Sequence, residues 1–179
     1  MNEKLKKEDG EKMVDETHFR SHVGNLLYLT ATRPDVMFAA SLLSRFMHYP
    51  SHLHLGVAKR VLRYLQGTVK LGIKYFRNIE VKLIGHCDSD WGGYIDDMKS
   101  MSGYAFSLAS SVISWVSKKQ GSVAQSSTEA EYCSTSLAIS QAIWFRRILE
   151  DIKEKQIEAT YLLCDNKFAI AIAKKLCFS

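Results

Sequence analysis

Gly85-His86-Cys87-Asp88-Ser89-Asp90-Trp91 is the stretch on which the fold turns. Just before and through it, Val81, Leu83 and Cys87 alternate with Lys82, Ile84 and His86. That period of two predicts a β-strand. The strand delivers Asp88 to its end, and Gly92-Gly93 closes it. Two other carboxylates sit in comparable settings. Glu131 lies in Ser126-Ser127-Thr128-Glu129-Ala130-Glu131-Tyr132, the first turn of a long predicted helix. Asp165 follows Tyr161-Leu162-Leu163-Cys164, a second short apolar strand. Two strand-end aspartates and one helix glutamate, on three elements, are placed to converge on one point. Such a cluster is costly to bury unless metal ions neutralise it.

Working outward, the pattern divides the chain in three. Residues 1–16 are dense in Lys and Glu and read as a disordered charged leader. Residues 17–70 read as a small helical segment. Thr17 suits a helix cap, and Phe19, Val23, Leu26 and Leu27 follow at helical spacing. Pro34 suits a first helical turn, with Phe38, Leu42, Leu43 and Phe46 on one face of the next helix. A third helix through Leu55, Ala58, Val61, Leu62 and Leu65 ends at Gly67. Its Lys59, Arg60 and Arg63 are expected to face outward.

From residue 71 to 179 the period changes to two. Leu71–Phe76, Val81–Cys87, Tyr104–Leu108 and Val112–Val116 read as strands, the last two joined by a hairpin turn at Ala109-Ser110-Ser111. The long helix carrying Glu131 has Leu137, Ile143, Trp144 and Ile148 on its apolar side. Asn166 suits the cap of a last helix over Phe168–Lys175. A crossover helix between strands demands parallel neighbours, so the expected fold is α/β, a mixed sheet flanked by helices.

Composition narrows the function classes. Of 179 residues, 46% are hydrophobic and 24% charged, which supports a core of ordinary size. The net charge of +5 permits nucleic acid as a partner without establishing it. Cys87, Cys133, Cys164 and Cys177 match neither a zinc spacing nor a disulfide scaffold, so reduced, mostly buried thiols are expected. No apolar run is long enough to span a membrane, and the charged N-terminus is unlike a secretory signal. The expected location is therefore the cytoplasm or the nucleus, not the secretory route.

The motifs carry a resemblance. Cys87-Asp88-Ser89-Asp90-Trp91, Lys99-Ser100-Met101-Ser102-Gly103-Tyr104, Ile113 through Gln120, Ser127 through Tyr132 and Cys164-Asp165-Asn166 occur in that order. Jointly they resemble the ribonuclease H domain of copia-type LTR retrotransposon Pol polyproteins, from about residue 17 onward. The resemblance implies a ribonuclease H-like mixed sheet in 71–179. It also implies that 17–70 is the thumb-like or connecting end of the preceding reverse transcriptase. The polymerase palm would lie upstream, so DNA synthesis is not expected of this chain. Its implied partners are an RNA–DNA hybrid and the polymerase portion of a full-length Pol.

The implied chemistry is hydrolysis of the RNA strand with two Mg2+ or Mn2+ ions about 3.5–4 Å apart. Magnesium takes hard oxygen ligands, so carboxylates suit it. By motif position Asp88, Glu131 and Asp165 are the catalytic and metal-binding candidates, with Asp88 bridging. Asp90 is left out. Cys87 and Cys164 are expected to point away, into the core. Lys118, Lys119, Gln120, Ser126, Asn166 and Lys167 are candidates for phosphate or sugar contact. On spacing alone other roles stay open. Asp88 and Asp90 suit a loop, Glu131 a capping box with Thr128, and Asp165 a helix cap. Ser126 with Glu129 offers the same box earlier, which would leave Glu131 free.

The resemblance also places a fourth acidic residue, a last strand and a terminal helix after the point where this sequence stops. Two readings follow. One is a ribonuclease H-type enzyme. The other is an inactive, C-terminally truncated Pol remnant that at most binds nucleic acid.

Overall fold

The computed structural model describes residues 5–176, with side chains as far as residue 173. Residues 1–4 of the expected leader, and Cys177 among the expected thiols, lie outside the described residues. Cys87, Cys133 and Cys164 are free. The chain forms two compact units, Met1–Ile73 and Lys74–Ser179. The expected boundary after residue 70 thus falls after Ile73.

The first unit is helical. Helix α1 (Glu16–Leu29) buries Phe19, Val23 and Leu26. Its cap is Asp15 rather than Thr17: the Asp15 carboxylate accepts from the amides of Thr17 and His18 at 3.2 and 3.0 Å. A 3-10 turn at Pro34–Val36 leads into α2 (Met37–Leu43), and a second at Ser44–Phe46 follows. Ala40, Leu43 and Phe46 point inward, whereas Phe38, expected on that face, is exposed. Helix α3 (His52–Gly67) starts from a capping box in which Ser51 and His54 satisfy each other's amides. The His54 ring is fully buried and stacks on Phe46 at 3.9 Å.

The leader does not behave as its composition suggests. Met13 forms an antiparallel bridge with Ser51. The Val14 amide donates to the Pro50 carbonyl, and the His52 amide to the Lys12 carbonyl, each at 2.9 Å. His54 Nε2 donates to the Lys6 carbonyl at 3.0 Å, so the ring carries its proton there while Nδ1 accepts from the Ser51 amide. Backbone pairing, which composition does not register, binds the segment to the start of α3.

Arg33 closes the unit. Its guanidinium donates to both Asp35 carboxylate oxygens at 2.9 and 2.7 Å, and to Thr68 Oγ1 at 2.8 Å. The Tyr64 hydroxyl adds a bond to Asp35 at 2.9 Å.

The second unit carries a four-stranded sheet in the order β3-β2-β1-β4. The strands are β1 (Leu83–Asp90), β2 (Met101–Leu108), β3 (Ser111–Lys119) and β4 (Tyr161–Leu163). β1 pairs antiparallel with β2, and β2 with β3; β4 runs parallel to β1. The long helix α4 (Ser127–Asp151) supplies the crossover, and α5 (Lys167–Leu176) follows β4. The mixed sheet with accompanying helices is therefore present. Its core joins Leu83, Cys87 and Phe106 from the sheet to Ala138, Ala142 and Leu149 from α4.

Two sequence expectations fail here. Leu71–Phe76 is not a strand. Leu71, Tyr75 and Phe76 are exposed, so the alternation buries no face. Side-chain bonds hold the segment instead, from the Tyr75 hydroxyl to the Val112 carbonyl and from the Phe76 amide to Ser110 Oγ. The apolar side of α4 is also not the buried one. Leu137, Ile143 and Trp144 are exposed, while Ala130, Glu131, Ser134, Ala138, Ala142 and Leu149 face inward. Small residues let the helix approach closely. The buried Ser134 hydroxyl lies 2.6 Å from the Asp88 carbonyl and 3.1 Å from that of Gly103, and is shared between them. A bulky side chain there would hold the helix off the sheet.

Two predictions follow from this packing. The Arg33 guanidinium, helped by Tyr64, holds the Asp35 carboxyl at about 2, against the opposing effect of partial burial. A depressed folded value contributes stability above the unfolded range near 3.9, and the contribution is lost as pH falls toward about 2. Asp35→Asn should destabilise by about 1 kcal/mol at pH 7, allowing for solvent screening. Thermal unfolding at a series of pH values should show the gap close between pH 4 and pH 2. Gly85 is the second case: a Cβ there would sit 2.6 Å from Leu162 Cδ1 and from Phe106 Cε1. Phe106 is fully buried and has nowhere to retreat. Gly85→Ala should cost roughly 1–3 kcal/mol in urea unfolding.

Candidate metal centre

The centre is built where α4 begins over the end of β1. Ser126 caps α4, its hydroxyl accepting from the Glu129 amide at 3.1 Å. The Glu129 carboxylate accepts from the Gln125 amide at 2.7 Å. The cap is complete without Glu131, which leaves that side chain free to turn to the sheet. Two other side chains fix the helix start. Trp91 Nε1 donates to the Ala124 carbonyl at 3.0 Å. Gln120 Nε2 donates to the Ala130 carbonyl at 3.0 Å and to Ser102 Oγ at 2.9 Å.

Glu131 is only 6% exposed. Its Oε1 accepts from both the amide and the hydroxyl of Ser89, at 3.0 and 2.8 Å. The same Ser89 amide lies 2.8 Å from Asp88 Oδ1. One N–H thus serves two carboxylates and brings Asp88 alongside Glu131. Glu131 Oε2 faces the Cys164 thiol at 3.9 Å. Glu131, Cys164 and Asp165 each offer a ligand atom within 4.8 Å of the others. Asp88 is outside that group and joins it only through the shared amide.

The other candidates separate by their surroundings. β1 continues through Asp90, so Asp88 precedes the strand's end and shares a face with Asp90. The Asp90 carboxylate folds over the turn, so closely that a Cβ on Gly93 would meet its Oδ2. Asn166, not Asp165, caps α5, its Oδ1 accepting from the Ala169 amide at 3.0 Å. Cys87 is buried in the core as expected. Cys164 packs against that core but also faces Glu131, because β4 ends at Leu163 and strand alternation no longer aims the next side chain.

Among the candidates for nucleic-acid contact, Lys118 and Lys167 are exposed. Lys119 is paired with Asp97 at 2.5 Å and lies over the Tyr94 ring. Ser126, Asn166 and Gln120 spend their side chains on internal bonds. Sequence reasoning missed Ser89 as the clamp on Glu131. Its signal was a polar residue on the inward face of the strand, in step with Leu83 and Cys87.

The electrostatics follow from burial. Burial raises the Glu131 carboxyl above its usual range, and Asp88 and Asp165 raise it further, while the Ser89 bonds oppose the shift. Burial pushes the Cys87 thiol up to about 11; the Thr135 hydroxyl opposes this, and Cys164 and Glu131 add to it. The centre gathers carboxylate oxygens and one thiol, a donor set that could hold a metal ion.

The sequence relatives give the family. The chain belongs to the retrovirus-related Pol polyproteins of copia-type transposons. It is 42% identical over 163 residues to the retrovirus-related Pol polyprotein from transposon RE1 of Arabidopsis thaliana, covering 91% of this chain and 11% of that protein. It is 38% identical over 157 residues to the one from transposon TNT 1-94 of Nicotiana tabacum, covering 87% of this chain and 12% of that one. It is 45% identical over 127 residues to the secreted RxLR effector protein 161 of Plasmopara viticola, covering 70% of this chain and 89% of that protein. The chain therefore spans about a tenth of the Pol polyproteins it matches. No family model and no solved structure matches it. Among the described residues no helix is long and apolar enough to cross a membrane.

Glu131 yields a test of this electrostatic picture. A raised folded value means that the folded state binds the proton more tightly than the unfolded chain. Stability therefore falls as pH rises from the unfolded glutamate range, about 4.3, through the folded value. Glu131→Gln keeps an acceptor for Ser89 and removes the charge. In metal-free buffer it should unfold at higher temperature than the parent at pH 7, and the difference should vanish at pH 4.

Proposed function

We propose that residues 74–179 form a ribonuclease H-type nuclease domain that hydrolyses the RNA strand of RNA–DNA hybrids during reverse transcription of the transposon. The observation that carries this reading is the shared Ser89 amide. It aligns Asp88 with a buried Glu131, and Asp165 approaches Glu131 from just past the end of the neighbouring parallel strand. Three antiparallel strands, a crossover helix and a parallel strand are in keeping with that fold. Residues 1–73 would be the end of the reverse transcriptase, and the polymerase portion of the polyprotein its natural partner.

The donor set fits divalent Mg2+ or Mn2+. The carboxylates are hard ligands, and burial raises the Glu131 carboxyl, with the Asp88 and Asp165 charges adding to the shift; a cation would offset both effects. Asp88, Glu131 and Asp165 would hold the ions. When bound, paired ions supply an activated water and stabilise the leaving oxygen. The chain's own work is positioning. Ser89 fixes the Glu131 carboxylate, Ser126 and Gln120 fix the helix that carries it, and Asn166 caps the helix after Asp165. Lys118 and Lys167 are exposed and available to phosphates.

The deciding experiment is cleavage of an end-labelled RNA strand in an RNA–DNA hybrid, with Mg2+ or Mn2+. Cutting by the parent should fall at least ~100-fold in Asp88→Asn, Glu131→Gln and Asp165→Asn. Cutting by none of them, from protein that circular dichroism shows folded, would sink the enzyme reading. The chain would then be an inactive Pol-derived segment, at most a nucleic-acid-binding module.

A further inference from the structure

We infer that Glu131, Cys164 and Asp165 form a mixed thiolate–carboxylate site for one thiophilic divalent cation of the Zn2+ or Cd2+ class. The binding stands on its own geometry. Only its consequence, competition with Mg2+ or Mn2+, rests on the nuclease reading.

The donors are already gathered. Glu131 is buried, its Oε1 is taken by Ser89, and its Oε2 faces Cys164 Sγ at 3.9 Å. A tetrahedral zinc ion with bonds of about 2.3 Å to sulfur and 2.0–2.2 Å to oxygen separates such a pair by about 3.6 Å. The observed spacing needs only a slight adjustment. An Asp165 oxygen completes a group of three ligand atoms, all within 4.8 Å of one another. Three protein ligands leave a fourth position for water, an arrangement zinc adopts readily. The Ser89 bonds orient the glutamate from outside the ligand set.

Cys164 is what selects the ion. Magnesium demands an octahedron of hard oxygens and gains little from sulfur. Borderline and soft cations take thiolate. On binding, the Cys164 S–H proton leaves to solvent and an S–metal bond replaces it, with no change of oxidation state. Cys87, beside it, is not a ligand: its sulfur lies 3.5 Å from Thr135 Oγ1 and 3.6 Å from the Leu163 carbonyl, within the core. Because Glu131 and Asp165 are common to both sites, the thiophilic ion would displace the hard one.

The test uses the full chain, reduced, titrated with Co2+ as an optical stand-in for Zn2+. The expected result is a thiolate-to-cobalt charge-transfer band that saturates at one equivalent and disappears when Zn2+ is added. The band should persist in Cys87→Ser and vanish in Cys164→Ser. In Asp165→Asn the apparent affinity should fall roughly tenfold or more. Circular dichroism of each variant separates misfolding from ligand loss, and Cys164→Ala serves if the serine variant unfolds. No band at saturating Co2+, or one that survives loss of Cys164, overturns the proposal. So does loss of the band in folded Cys87→Ser. Cleavage with Mg2+ but no thiolate band would refute the site and leave the nuclease reading intact. A Cys164-dependent band without cleavage would do the reverse.

Discussion

One backbone amide organises the candidate centre. The Ser89 N–H is offered to Asp88 Oδ1 and Glu131 Oε1 at once, and the Ser89 hydroxyl reinforces the second bond. A carboxylate that is 6% exposed needs such donors, because burial without them disfavours the charge. The bonds also require α4 to begin directly above the end of β1. Much of the surrounding structure meets that requirement. Trp91 and Gln120 tie down the helix start, Ser134 ties the helix to the backbones of β1 and β2, and Ala138 and Ala142 keep the approach close.

The docked line of α4 runs through small residues, Ser134, Ala138 and Ala142, to Leu149, with Phe145 also packed against the core. Ile143 and Trp144 lie off that line and are exposed. In the core Phe106 packs against Phe145, with ring centroids 5.3 Å apart. The first unit solves its own problem by other means. There the polar network of Arg33, Asp35, Tyr64 and Thr68 joins the start of α2 to the end of α3, and His54 binds the leading segment.

Glu131 is pushed toward protonation by burial and further by Asp88 and Asp165, while the Ser89 hydrogen bonds oppose the shift. The Cys164 thiol sits beside these carboxylates, its sulfur 3.9 Å from Glu131 Oε2. The copia-type Pol polyproteins that this chain matches are far longer, and it spans about a tenth of them.

Much of this was legible in the residues. Period-two alternation located β1, β2 and β3, and the pair Ser126 and Glu129 located the start of α4 and freed Glu131. Asn166 announced the cap of α5. These are local signals, set by backbone geometry and capping within a few residues. What sequence order did not disclose depends on partners far along the chain. The leader looked disordered because its partners, Pro50 to His54, lie far downstream. Leu71–Phe76 alternated like a strand but had no ladder to join. The buried face of α4 was misread because hydrophobicity marks what gains from burial, whereas the space between helix and sheet decides what fits. The roles of Ser89 and Cys164 emerged only in three dimensions. A serine becomes a clamp, and a thiol the neighbour of a buried carboxylate, only when another element places that carboxylate within reach.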